Sequence, residues 1–183
     1  MNTKLAITNT LTERKRTLLL ETALALGGFT LGAAEFASMG LLPDIANASR
    51  IPETTAGGLI SAYALGAIAG APLLTILGAR LSRRTLLLVT MILVIIGHLA
   101  TVLSAGFSHL FLARLLSGIP HGTYFGVAGF VVATSVPLQQ RARAISRFML
   151  GITLSIVVGT PLATFIGQML GWRWAFALVC LLA

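Results

Sequence analysis

Residues Thr85–Ala105 read TLLLVTMILVIIGHLATVLSA. No residue in this stretch carries a fixed charge, and His98 is its one ionisable side chain. A helix rising about 1.5 Å per residue covers roughly 31 Å over that length, which is the hydrocarbon thickness of a bilayer. The surrounding chain has the same character: of 183 residues, 56% are hydrophobic and 10% are charged. Soluble domains average about 25% charged residues, and a chain of this size has no core able to hide so much apolar surface. Composition therefore excludes an ordinary soluble domain, a disordered chain and a coiled coil, and it points to a membrane protein.

Working outward, four more stretches are long enough to span, so the expected spans are 17–42, 56–79, 85–105, 110–136 and 148–170. A sixth runs from Trp174 to Ala183. Ten helical residues rise about 15 Å, so this last span is expected to stop in mid-bilayer and the chain reads as incomplete relative to its own architecture. Arg14, Lys15 and Arg16 resemble the basic start of a secretory signal. The apolar run behind them exceeds an h-region of about 7–15 residues and contains Glu35, so an uncleaved first span is expected.

The net charge of +8 is clustered rather than striped with aromatics, which argues against nucleic-acid binding. Ten Lys/Arg fall on one side: Lys4, Arg14, Lys15 and Arg16; Arg80, Arg83 and Arg84; Arg141, Arg143 and Arg147. The alternate connections carry two, Arg50 and Arg173. The excess places residues 1–16, a basic N-terminus, in the cytoplasm. Cys180 is the single cysteine, so no internal disulfide forms and no metal spacing appears. No nucleophile elbow, zinc-protease motif or P-loop is present, and neither an enzyme nor a metal or organic cofactor is expected.

Shifted by 89 residues, the chain partly matches itself. Gly70-Ala71-Pro72-Leu73 aligns with Gly159-Thr160-Pro161-Leu162, Thr75 with Thr164, Gly78 with Gly167, Leu81 with Leu170 and Arg84 with Arg173. One copy runs inward and the other outward, so the pattern predicts an inverted repeat of three helices, as secondary transporters use. Both helices carry small residues every fourth position: Gly58, Ala62, Gly66 and Gly70, then Gly151, Ser155, Gly159, Ala163 and Gly167. Two readings stand, static packing or a smooth face on which two bundles slide. Pro72 and Pro161 are expected to loosen their helices.

Intramembrane charge singles out Glu35, about seven residues from the outer end of the first span, and Arg114, about four residues inside the fourth. Arg114 is long enough to snorkel, but Glu35 is not. Glu35 must be protonated, pair with Arg114 or face water, and a change among these states would be a proton switch. A structural ion pair is the alternative. His121 shares a face with Arg114, Gly118, Gly122, Phe125 and Gly129, the small and polar face of a cavity-lining helix. His98, Tyr63 and Phe125 are further lining candidates beside a plain packing role. Glu21 is expected at the interface and His109 in solvent.

These residues also carry a resemblance. AEFASMGLLPDIA at Ala34–Ala46, Arg114-Leu-Leu-Ser-Gly118, His121-Gly122-Thr-Tyr-Phe125-Gly126, and Gly151, Gly159, Pro161 and Gly167 followed by Gly171-Trp-Arg-Trp-Ala-Phe176 are similar to motifs of the major facilitator superfamily. The closest likeness is to the N-terminal half of its twelve-span drug:proton antiporters, in the arabinose-efflux-permease-like branch. The resemblance implies an all-α bundle of six helices with a 3+3 inverted repeat and a truncated sixth helix. It implies proton-coupled efflux of a sugar or drug by alternating access across a bacterial inner membrane, with the proton as coupling ion and Arg114 in its pathway. It also implies lipid and a second six-helix half as partners. The loop at Arg80, Arg83 and Arg84 departs from the family pattern: Thr75, Ala79 and Ser82 stand where glycine, aspartate and glycine are usual, so the carboxylate of an inner-gate latch is missing. The competing reading is a truncated remnant, or a stub that pairs with another half and moves nothing itself.

Overall fold

The computed structural model describes residues 2–183, with side-chain surroundings from Lys15 onward; the side chains of Lys4 and Arg14 in the basic N-terminus lie outside the described residues. Among the described residues there is no strand. The chain runs as α1 (Asn2–Gly40), α2 (Leu42–Ser49), α3 (Glu53–Ala56), α4 (Gly58–Leu77), α5 (Arg83–Val102), α6 (Phe107–Gly118) and α7 (Pro120–Thr134). A 3-10 turn at Leu138–Gln140 leads into α8 (Arg141–Leu154), a π turn (Ser155–Gly159), α9 (Thr160–Leu170) and α10 (Trp172–Leu182). Among the described residues, five stretches are long and apolar enough to cross a membrane: Lys15–Gly40, Glu53–Leu77, Arg83–Val102, Phe107–Thr134 and Leu138–Leu170. The helix Trp172–Leu182 is apolar but shorter.

Local chemistry sets the breaks. Ser82 caps α5, its Oγ accepting the Thr85 N–H at 3.1 Å. Pro120 has no N–H to continue α6, and the Leu116 carbonyl takes the Ile119 N–H at 3.2 Å in a tightened turn. The fourth span is therefore interrupted at Ile119, between Arg114 and His121. The fifth span begins earlier than the apolar run that starts at Phe148. Residues Arg141–Arg147 are already helical, with Arg141 and Arg143 exposed, because a helix needs backbone hydrogen bonds and not hydropathy.

Packing follows the repeat. The first span lies against α8, the π turn and α9, and α4 lies against α6 and α7. The 89-residue shift carries the second span onto the fifth and the first onto the fourth, so these two pairs are equivalent. The small-residue stripes are spent inside the bundle. A Cβ at Gly66 would strike the Leu115 carbonyl, and one at Gly151 would strike the Ala25 carbonyl. Gly159 sits on Phe29 and Ala33, and Gly167 on Leu41. This corrects the sliding-face reading: lipid supplies no hydrophobic drive between helices, so close backbone contact must hold them together. Pro161 follows the π turn, where Thr160 Oγ1 donates to the Ser155 carbonyl at 3.1 Å. The Ser155 carbonyl also accepts the Thr160 N–H, the wide register of the π turn, and such local widening is one way a membrane helix accommodates a residue with no N–H to donate.

Candidate functional site

Gly118 brings the second and fourth spans into backbone contact, since a Cβ there would fall on the Tyr63 carbonyl. Tyr63 thereby touches both halves of the fourth span, Arg114 from α6 and His121 from α7. On one side, the Arg114 guanidinium carbon lies 4.6 Å from the centre of its ring. On the other, the Tyr63 hydroxyl is 2.8 Å from His121 Nδ1. His121 Nε2 is in turn 3.8 Å from Glu35 Oε2 on α1. Phe125, one turn further on, is half-buried and has its ring 5.0 Å from the imidazole. Glu35 and His121 keep 29% and 19% of their side-chain surface exposed, so this end of the chain of contacts opens outward while Tyr63 and Arg114 are closed in.

The geometry bears on two alternatives that the sequence leaves open. Among the described residues, the basic side chain within 4 Å of the Glu35 carboxylate is His121 and not Arg114. Arg114 does not snorkel; it is 2% exposed and lies between the aromatic faces of Tyr63 and Phe176, the latter centred 5.4 Å away. The Tyr63 ring occupies the face of the guanidinium, and cation–π attraction offsets part of the desolvation of the buried cation. His98 is also corrected as a cavity-lining candidate: it is fully buried, bonded through Nδ1 to the Val94 carbonyl at 2.8 Å and packed near Phe176.

The Tyr63–His121 contact also determines what Glu35 sees. When the phenol donates to Nδ1, the neutral imidazole carries its proton on Nε2 and presents that N–H to the carboxylate. The 3.8 Å gap is longer than a hydrogen bond. A small movement of α1 against α7 closes or opens it, so the pair reports the relative position of the first and fourth spans.

At the opposite, basic end lies a pair that the sequence reading missed. Glu21, expected at the interface, is buried on α1 and 3.2 Å from Arg147 of α8. Both line a cavity of about 580 Å³ with Arg143 and Gln140. An acid one turn inside an apolar run, facing a helix that starts with three arginines, was the available signal. Arg80, Arg83 and Arg84 are exposed, and Arg83 rests its guanidinium 3.7 Å from the centre of the Phe130 ring. Gly151, Gly159 and Gly167 take the packing positions described above and Pro161 is exposed. His109 is exposed in the first turn of α6. Among the described residues no three His, Cys, Asp or Glu gather as a metal site would require.

The model of the Major Facilitator Superfamily matches residues 24–183. The inner membrane transport protein YdhP of Escherichia coli K12 is 40% identical over 154 residues, which are 84% of this chain and 40% of that protein. The putative transporter AraJ of the same organism is 38% identical over 157 residues, 86% of this chain and 40% of AraJ. A probable sugar efflux transporter of Pasteurella multocida is 33% identical over 160 residues, 87% of this chain and 39% of that protein. The solved inward-open structure of the xylose transporter XylE of E. coli superposes with a TM-score of 0.70 at 19% identity, covering 91% of this chain and 45% of XylE. The chain thus spans about 40% of the length of the curated relatives it matches.

Proposed function

The chain belongs to the Major Facilitator Superfamily, and on that footing we propose that it forms the N-terminal six-helix half of a proton-coupled exporter of sugar-sized molecules. Its place is a bacterial inner membrane, where its relative YdhP is named as residing. The excess of Lys and Arg puts the basic end in the cytoplasm. The observation that carries the reading is the membrane-depth series Arg114–Tyr63–His121–Glu35, a cation enclosed in protein and a half-buried carboxylate at the open end.

The cycle needs no covalent step. A proton from the outer side adds to a Glu35 oxygen, the carboxylate becomes a neutral acid, and its attraction for His121 and Arg114 ends. The first and fourth spans are then free to shift. When the site faces the cytoplasm the proton leaves, the carboxylate is restored and the contact with His121 reforms. A ligand can shift such an equilibrium only by its differential affinity for the two states, and protonation of Glu35 supplies that difference. A second six-helix bundle packs over the open face of Glu35, His121 and Phe125. Substrate sits between the halves, its hydroxyls on His121 and its apolar face on Phe125. The sugar class is supported by the name of the P. multocida relative.

The test uses everted vesicles containing the transporter that carries this bundle, with a panel of radiolabelled pentoses, hexoses and one lipophilic cation. Glu35→Gln is expected to insert normally and to lose about 100-fold or more of gradient-driven transport. Retained dependence of transport on the pH gradient in that variant overturns the coupling role.

A further inference from the structure

Three buried polar side chains gather where the third, fourth and sixth spans meet. Arg114 Nε and Nη1, His98 Nε2 and Trp172 Nε1 are all enclosed and have no hydrogen-bond partner among the described residues. Such groups are rare in folded proteins, because each forfeits its hydration and recovers nothing. Arg114 and His98 both pack near the Phe176 ring, at 5.4 and 6.1 Å from its centre. The backbones meet here as well: a Cβ at Gly97, next to His98, would press on the backbone of Ser117, one turn beyond Arg114.

The hydrogen-bond roles of the two side chains are complementary. The Val94 carbonyl can only accept, so His98 Nδ1 carries the proton in the 2.8 Å contact. In the neutral ring Nε2 is then a bare acceptor. Arg114 offers only donors. An acceptor and two donors, each buried and both side chains packed near one aromatic ring, are the partners that a buried water requires. An anion fits less well, because the His98 lone pair would face it.

We infer that water held between His98 Nε2 and the Arg114 guanidinium forms an internal site, and that His98 through it is a positioning residue for Arg114. The bridge fixes the guanidinium against the inner face of Tyr63 and keeps it from swinging around the ring to Glu35. Five side chains from four spans then form one line, His98, Arg114, Tyr63, His121 and Glu35. The water site stands on packing and hydrogen-bond chemistry alone; its bearing on coupling rests on the function proposed above, so the two are tested separately.

The first experiment is solid-state NMR on the 183-residue chain in lipid with ¹⁵N-histidine, His98 being assigned by its loss in His98→Gln. The expected spectrum has Nδ1 protonated, Nε2 unprotonated, and polarisation transfer to Nε2 from water protons that survives removal of bulk water. A protonated Nε2, or transfer only from protein and lipid protons, overturns the site. The second experiment is efflux by the transporter carrying this bundle. Gln restores an acceptor near the Nε2 position and is expected to keep transport within about 3-fold, whereas His98→Leu loses 10-fold or more. Equal loss in an inserted Gln variant, or full activity of Leu, overturns the positioning role. If Leu fails to insert, the Gln variant and the spectrum decide.

Discussion

Tyr63→Phe removes one oxygen from the centre of the site and leaves its shape intact. The ring stays as the aromatic face 4.6 Å from the Arg114 guanidinium carbon, so the cation–π contact survives. What is lost is the 2.8 Å bond to His121 Nδ1. With the phenol as donor, that bond makes Nδ1 an acceptor and so holds the proton on Nε2, facing Glu35. An intramolecular hydrogen bond contributes a net 0.5–1.5 kcal/mol, roughly, and bonds between membrane helices average about 0.6 kcal/mol. The ratio of the two imidazole tautomers should therefore change by about 3-fold at the membrane average and about 10-fold at the upper end. The direction is toward the form with Nδ1 protonated and a bare Nε2 turned to the carboxylate. Nitrogen-15 NMR of labelled histidine reads this ratio directly, since His98, His109 and His121 are the three histidines of the chain. Efflux by the transporter should fall by a similar few-fold factor, because the N–H that meets Glu35 is present for less of the time. An unchanged tautomer ratio at His121, or a wild-type ring already bare at Nε2, refutes the reasoning.

Further outcomes follow from the same geometry. Gly66→Leu drives a side chain into the Leu115 carbonyl, and overpacking of this kind costs about 1–3 kcal/mol; the purified chain should unfold several degrees lower, while Ser61→Leu on the exposed face of the same helix should not. Arg147→Gln leaves buried Glu21 without its 3.2 Å partner, a loss of about 2 kcal/mol given that Arg147 is half in solvent. The double variant Glu21→Gln/Arg147→Gln should recover most of that stability, and a double-mutant cycle with no coupling would remove the pair from the account. Ser82→Ala deletes the cap of α5 and should cost about 1 kcal/mol in chemical denaturation. For topology, Ala79→Cys, exposed in the basic loop, should react with an impermeant maleimide in everted vesicles and not in intact cells.

The sequence by itself determined the class and the order of the fold. Uncharged runs such as Thr85–Ala105 leave a helix as the only way to satisfy a backbone in lipid, and the 89-residue echo between Gly70–Leu73 and Gly159–Leu162 implies paired helices. It also marked Glu35, Arg114, His121 and Tyr63, since polar groups in an apolar run stand out by cost alone. It did not determine who meets whom. Glu35 and Arg114 are the two most costly groups and so invite pairing, yet Tyr63 stands between Arg114 and His121, and His121 takes the carboxylate. The small-residue stripes likewise carry a period but no partner, and only the fold shows that they are consumed inside the bundle. Periodicity says which face a side chain lies on. Which face of another helix it meets depends on how closely two backbones approach, and that is decided by contacts between residues such as Gly66 and Leu115, far apart in the chain and adjacent only once it has folded.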